Sequence, residues 1–124
     1  MDDNTVKKYT EERPWGKFER FTFNQKSTVK ILTIKPNEKL SLQYHENRSE
    51  FWKILSGEGK ITLEETIKNF KEGDEFYVPI GTKHTAESLG VEIIILEIAF
   101  GHFDEDDIIR LADKYGREHQ QKKY

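Results

Sequence analysis

Seven short runs rich in β-branched and aromatic residues recur along the chain: KFERFTF (17–23), TVKILTIK (28–35), KLSLQYH (39–45), EFWKILSG (50–57), GKITLEE (59–65), EFYVPI (75–80) and VEIIILEIAF (91–100). Turn-forming residues separate them at Pro36-Asn37, Glu46-Asn47-Arg48-Ser49, Ser56-Gly57-Glu58-Gly59, Lys71-Glu72-Gly73-Asp74 and Leu89-Gly90. None carries the 3.6-residue period of an amphipathic helix. Short strands with turn signals roughly every 8 to 12 residues predict an all-β sandwich or barrel. Within Lys39 to His45, Leu40, Leu42 and Tyr44 share one face, while Lys39, Ser41, Gln43 and His45 share the other. One strand therefore presents an entire polar face. Thr28 to Lys35 is mixed, with Val29, Ile31, Thr33 and Lys35 opposing Lys30, Leu32 and Ile34.

A chain of 124 residues holds one domain around one closed core. Its 20 Lys and Arg against 23 Asp and Glu give a net charge of −3, without the basic excess that binding a phosphate backbone draws on, so nucleic acid is excluded as the main partner. Cysteine is absent, which removes disulfide scaffolds, thiolate metal sites and Cys nucleophiles together. Any metal must sit on His, carboxylate or amide oxygen. The first fifteen residues have no apolar h-region, and no stretch approaches the roughly 18 apolar residues that span a bilayer. A cytoplasmic protein with no membrane partner is expected. Residues 1–12 are expected to be a flexible N-terminal segment, 13–117 the domain, and 118–124 a mobile tail. Within 104–117, acids at the start and Gly116 near the end predict one or two short C-terminal helices.

The chemistry concentrates in Gln43-x-His45-x(4)-Glu50-x(6)-Gly57, followed by Gly73-x(5)-Pro79-x-Gly81-x(2)-His84. Gln43 and His45 leave the same face of one strand. Glu50 returns beside them after a turn, and His84 follows the Pro79-Ile80-Gly81 turn. An amide oxygen, two imidazoles and a carboxylate form an N2O2 set suited to a borderline divalent ion. A lone His on a strand is more often only hydrogen-bonded, but four candidate ligands at these intervals outweigh that reading.

These blocks resemble the paired motifs of the cupin superfamily, G(X)5HXH(X)3,4E(X)6G and G(X)5PXG(X)2H(X)3N. Asn37 stands at the first Gly, Gln43 at the first His and Ser88 at the last Asn. A turn Asn can replace Gly where φ is positive. A closer resemblance, from Arg13 to Arg117, is to the type II mannose-6-phosphate isomerase domain. It rests on Arg13-Pro14-Trp15-Gly16, Lys39 to His45, Arg48 to Trp52, Val78 to His84, Glu105 to Arg110 and Tyr115-Gly116-Arg117. Gln43 is what that family uses. The resemblance implies a free-standing, metal-dependent isomerase on a small cupin barrel. Family members usually carry further His where Glu46, Asn47 and Phe51 stand here.

Aldose–ketose isomerisation through a cis-enediolate needs a cation near two adjacent oxygens and a base within reach of a carbon-bound proton. The metal ligands are read as Gln43, His45, Glu50 and His84, holding one divalent ion, Zn first and Mn, Co, Ni or Fe as alternatives. Lys39, on the face of Gln43 and His45, is the candidate base. The family likeness points to Arg110 as an essential cation. Ser41, Arg48 and Arg13 are the substrate-binding candidates for a phosphosugar, with Lys83 and Arg117 also available. A homodimer is the default, because pairing buries strand edges. Two other readings stand beside the isomerase: a cupin acting on another phosphosugar or a sugar nucleotide, and a non-catalytic metal- or sugar-binding cupin. Gly57-Glu58-Gly59 is read as a turn, Asp104 to Asp107 as a helix start, His102 and His119 as incidental, and Trp15 and Trp52 as core or rim aromatics.

Overall fold

A computed structural model of the chain describes residues 8–104 and 106–112. Every regular element among them is a strand. In chain order these are β1 (Tyr9–Arg13), β2 (Gly16–Arg20), β3 (Ser27–Ile34), β4 (Leu42–Tyr44), β5 (Arg48–Ser56), β6 (Gly59–Leu63), β7 (Thr66–Phe70), β8 (Glu75–Val78), β9 (His84–Ser88), β10 (Ile93–Gly101) and β11 (Ile109–Ala112). They form a β1-β2 hairpin, a four-stranded sheet in the order β3-β10-β5-β8 and a five-stranded sheet in the order β11-β4-β9-β6-β7. All pairings are antiparallel.

The core lies between the two larger sheets. Ile34, Trp52, Ile54, Val78, Ile93 and Ile95 come from one sheet, and Ile61, Phe70 and Ala86 from the other. The mixed run of β3 resolves cleanly: Ile34 is buried and Leu32 packs on the core, while Val29 and Ile31 are exposed. A second cluster of Phe51, Ile98 and Phe100 is covered by Phe21, which follows the hairpin and stacks on Phe51 at 5.5 Å. Lys8 ties the hairpin down through Glu75 at 2.8 Å and Glu19 at 2.7 Å. Residues 9–12, assigned from sequence to a terminal segment, are thus the first strand of that hairpin.

Among the described residues of the C-terminal segment, 104 and 106–112, the helical expectation is corrected. Ile109–Ala112 is a strand, paired with β4 so that Arg110 faces Gln43 and Ile109 faces Tyr44. The acids before it close a turn instead of opening a helix, with Asp107 N–H donating to the Asp104 carbonyl at 2.9 Å. The open edge of β4 offers Ile109, Arg110 and Ala112 pairing partners, with a bulge at Leu111, and that outweighs first-turn acid preference. Gly116 lies outside the described residues.

Asn37 adopts φ of 62°, so the residue at the motif's first glycine position does hold the left-handed conformation. Ser88, at the motif's last position, is buried and donates its hydroxyl to the Lys35 carbonyl at 2.9 Å. It staples the turn that carries Asn37.

Candidate metal centre

Glu50 sits on β5 at 1% exposure, and His84 opens β9 at the same value. Gln43 is paired directly with His84 across β4 and β9, and His45 leaves the end of β4, buried like Gln43. The period-2 pattern explains this placement, since Ser41, Gln43 and His45 all turn inward from one strand. His45, Glu50 and His84 each offer one ligand atom, and these lie within 4.8 Å of one another.

Both imidazoles are oriented from behind. His45 Nδ1 donates to the Asp107 carbonyl at 2.6 Å, and His84 Nδ1 donates to the Thr82 carbonyl at 2.8 Å. That leaves each Nε2 with its lone pair turned inward, 3.3 Å and 3.8 Å from the two Glu50 oxygens. A backbone carbonyl behind each ring is the usual support of a metal-binding histidine. Burial pushes both imidazoles below their ordinary range, against the pull of Glu50. They are neutral at pH 7, the form a cation needs.

Burial alone would raise Glu50, but His45, His84 and Arg48 around it more than reverse that and hold it below the usual carboxylate range. It accepts from Arg48 Nε at 2.9 Å and from Trp52 Nε1 at 3.0 Å. Arg48 is itself pinned, donating to the Asp104 carbonyl at 3.2 Å and stacking on Phe103. The donor set of two neutral imidazoles, an ionised carboxylate and an inward amide fits a borderline divalent ion.

These groups line a cavity of about 180 Å³, together with Lys30, Leu32, Leu40, Ser41, Arg48, Trp52, Glu97, Ile108 and Arg110.

The family described as mannose-6-phosphate isomerase C-terminal matches residues 1–113. The chain belongs to this family. Mannose-1-phosphate guanylyltransferase from Salmonella montevideo is 41% identical over 107 residues, covering 85% of this chain and 23% of that protein. The enzyme of the same name from Escherichia coli K12 is 38% identical over 107 residues, covering 85% and 22%. The chain thus spans under a quarter of the length of these relatives. In three dimensions it is similar to a cupin protein from Bacteroides fragilis (TM-score 0.57, 22% identity, 60% of this chain and 65% of that one). Oxalate decarboxylase from Bacillus subtilis gives a TM-score of 0.65 at 22% identity, over 70% of this chain and 24% of that one. The fold is a cupin double-stranded β-helix.

In this member of the mannose-6-phosphate isomerase family, the cavity brings together seven of the nine site residues assigned from sequence: Ser41, Gln43, His45, Arg48, Glu50, His84 and Arg110. Arg110 lines it with a buried Nε that has no hydrogen-bond partner among the described residues. Lys39 and Arg13 are not brought there. Lys39 lies before β4, exposed and bridged to Glu87, one step beyond the cavity along the polar face. Arg13 ends β1, paired with Glu11 at 2.6 Å and stacked on Phe18. Phe51 faces the outer cluster, so the family's histidine position at 51 does not reach the cavity.

Sequence reasoning missed Glu97 and Asp107. Glu97 is the one acid within the apolar run Ile93 to Phe100, in phase with the inward Ile93 and Ile95, and that was its signal. Burial, then Glu50, push its carboxyl up to about 8. Asp107 had no local signal, because its partners are some sixty residues away.

Proposed function

We propose that this chain is a metal-dependent sugar-phosphate isomerase that interconverts mannose 6-phosphate and fructose 6-phosphate through a cis-enediolate. The observation that carries this reading is the convergence of His45 Nε2, His84 Nε2 and the Glu50 carboxylate on one point of a cavity. The family's description and the relatives' names, both of mannose phosphate chemistry, support the choice of sugar.

Gln43, His45, Glu50 and His84 would hold one divalent ion, and such an ion supplies Lewis-acid stabilisation of charge on two adjacent sugar oxygens. Arg110, which lines the same space, contributes a fixed cation whose buried Nε has no partner among the described residues. Ser41 supplies a hydroxyl, and Leu32, Leu40, Trp52 and Ile108 provide walls that exclude water around the reacting carbons. Arg48 holds Glu50 ionised and in place. Homodimerisation belongs to the same proposal, with the exposed Val29 and Ile31 on the sheet edge β3 as the surface that pairing covers.

Elemental analysis of purified protein combined with a coupled isomerase assay tests the reading. Turnover of mannose 6-phosphate is expected, lost on chelation, regained with a divalent ion and missing in His45→Ala together with bound metal. Metal-loaded protein that turns over mannose 6-phosphate no faster than buffer rejects it.

A further inference from the structure

Among the described residues, three Lys or Arg side chains line the cavity: Arg48, Arg110 and Lys30. Two of them belong to the end that holds the candidate ligands. Arg48 is held against Glu50, its Nε 2.9 Å from the carboxylate and its side chain only 5% exposed. Arg110 is the register partner of Gln43. Lys30 lies at the other end. It sits on β3, in phase with the core-facing Leu32 and Ile34, and pairs with Glu97, which in turn pairs with Trp52 of β5. At about 4.8 Å per strand, two strand spacings put its backbone on the order of 10 Å from that of Glu50. Its side chain is 31% exposed, so the ammonium lies where the cavity meets solvent. Phe103, which follows β10, braces both cations, its ring centroid 4.5 Å from Arg48 Cζ and 5.2 Å from Lys30 Nζ.

In a hexose 6-phosphate the carbons that exchange a proton and the phosphate ester lie at opposite ends of the chain. With the reacting carbons at His45, Glu50 and His84, the phosphate falls away from them. A phosphomonoester carries about −1.5 to −2 charges at pH 7 and three strong acceptor oxygens. Burying that much charge completely is costly, so a cation at a half-open mouth, where part of the hydration survives, meets it best. Glu97, 3.9 Å from the Lys30 ammonium, carries at most one charge, and the phosphate is the stronger partner. We propose that Lys30 binds the phosphate of the substrate, so that the sugar runs from the candidate ligands on β4, β5 and β9 towards β3. The inference deepens the isomerase reading, on which it rests, by giving the phosphosugar a direction in the cavity.

The test measures binding of glucitol 6-phosphate, which has no carbonyl to isomerise, by calorimetry on metal-loaded protein, beside the turnover of mannose 6-phosphate. Lys30→Met keeps the stem and removes the charge, and should weaken glucitol 6-phosphate by about 10- to 100-fold, the worth of a hydrogen bond between charged groups. KM for mannose 6-phosphate should rise by a similar factor with kcat within about threefold of wild type, the signature of lost uniform binding. Lys30→Arg keeps a phosphate-binding cation and should stay within about threefold of wild type in both measurements. Wild-type affinity and KM in Lys30→Met overturn the inference, as do a fall in kcat at unchanged affinity and a loss in Lys30→Arg equal to that in Lys30→Met. Metal content should be unchanged in Lys30→Met; loss of metal together with affinity overturns the inference too, because Lys30 would then support the ligands. Should Lys30→Met fail to fold in a thermal melt, Lys30→Gln takes its place with the same expected loss. The expected loss of glucitol 6-phosphate affinity in a protein without mannose 6-phosphate turnover leaves Lys30 as the phosphate contact and removes only the isomerase. Turnover of mannose 6-phosphate with wild-type KM in Lys30→Met does the reverse, and wild-type protein that neither binds nor turns over removes both.

Discussion

Asp107 holds His45 from the far side of the site: its carbonyl accepts from His45 Nδ1 at 2.6 Å, while its carboxylate accepts the Glu46 and Asn47 backbone N–H groups at 2.8 and 2.9 Å. A residue sixty-two positions away thus sets both the tautomer of a candidate ligand and the path of the loop behind it. Asp107→Ala keeps the carbonyl and removes the two charge-assisted bonds. The loss should be about 2 kcal/mol of stability in urea denaturation. Metal affinity should fall by roughly tenfold, because the loop no longer orients His45. Unchanged metal affinity in a destabilised Asp107→Ala would show that the carbonyl alone suffices.

Arg48 and Glu50 form a buried ion pair, with side chains 5% and 2% exposed and Nε to Oε2 at 2.9 Å. Removing either partner leaves the other charged and desolvated. Arg48→Met and Glu50→Gln should each destabilise the metal-free protein by about 3 to 5 kcal/mol. The double variant should cost less than the two single losses combined, with a coupling above about 1 kcal/mol. Additive losses in urea denaturation would mean the pair contributes through packing alone.

The pH dependence of the metal-free protein should reflect opposite shifts within one cavity. Burial and Glu50 raise Glu97 to about 8, so the folded state keeps a proton that the unfolded chain releases near the ordinary carboxylate value. That contribution is complete below the ordinary value and is lost as pH rises through about 8. Burial lowers His45 and His84, so their contribution is complete above the ordinary imidazole value and is lost as pH falls below it. At about 1.4 kcal/mol per unit, the alkaline loss amounts to a few kcal/mol at most. Urea midpoints at pH 5, 7 and 9 should show decline on both sides, and Glu97→Gln should flatten only the alkaline one. An unchanged alkaline slope in Glu97→Gln would place the titrating group elsewhere.

The strands that residue pattern revealed are those with apolar alternation or a continuous apolar run, such as β3, β5 and β10. Those it did not reveal, β1 (YTEER), β7 (TIKNF), β9 (HTAES) and β11 (IRLA), carry exposed or weakly β-forming residues. Their conformation is imposed by pairing with neighbours, a non-local effect that propensity does not contain. The same division runs through the site. Gln43, His45, Glu50 and His84 were legible because strand period and turn spacing fix where they point. Lys39 obeyed the same period yet fell outside the cavity, because alternation sets the face and not the depth. Asn37 shows how far a local rule reaches. At φ of 62°, Asn37→Gly should be nearly neutral and Asn37→Val should cost about 1 to 2 kcal/mol in urea denaturation. Equal stability of the two would show that the turn relaxes to ordinary backbone.

Arg110 joins the edge strand to the chemistry. Its register partner on β4 is Gln43, so the strand that closes the five-stranded sheet also carries a cation to the candidate ligands. Its Nε is buried and without a hydrogen-bond partner among the described residues, a costly arrangement that a ligand oxygen would relieve. An enediolate or a phosphate offers such an oxygen. Arg110→Gln should therefore lower kcat/KM for mannose 6-phosphate by about 10²- to 10³-fold, the loss seen when one charge-stabilising donor is removed. Arg110→Lys restores the charge but not the planar Nε donor, and should recover only part of that loss. Metal content should stay at the wild-type level in both variants, since Arg110 is no ligand. If Arg110→Gln loses metal and activity together, the residue holds the sheet edge that positions Gln43 and makes no contact with the substrate. If kcat/KM stays at the wild-type value, the charge that stabilises the enediolate comes from another cavity cation, and Arg48 and Lys30 are the ones facing that space.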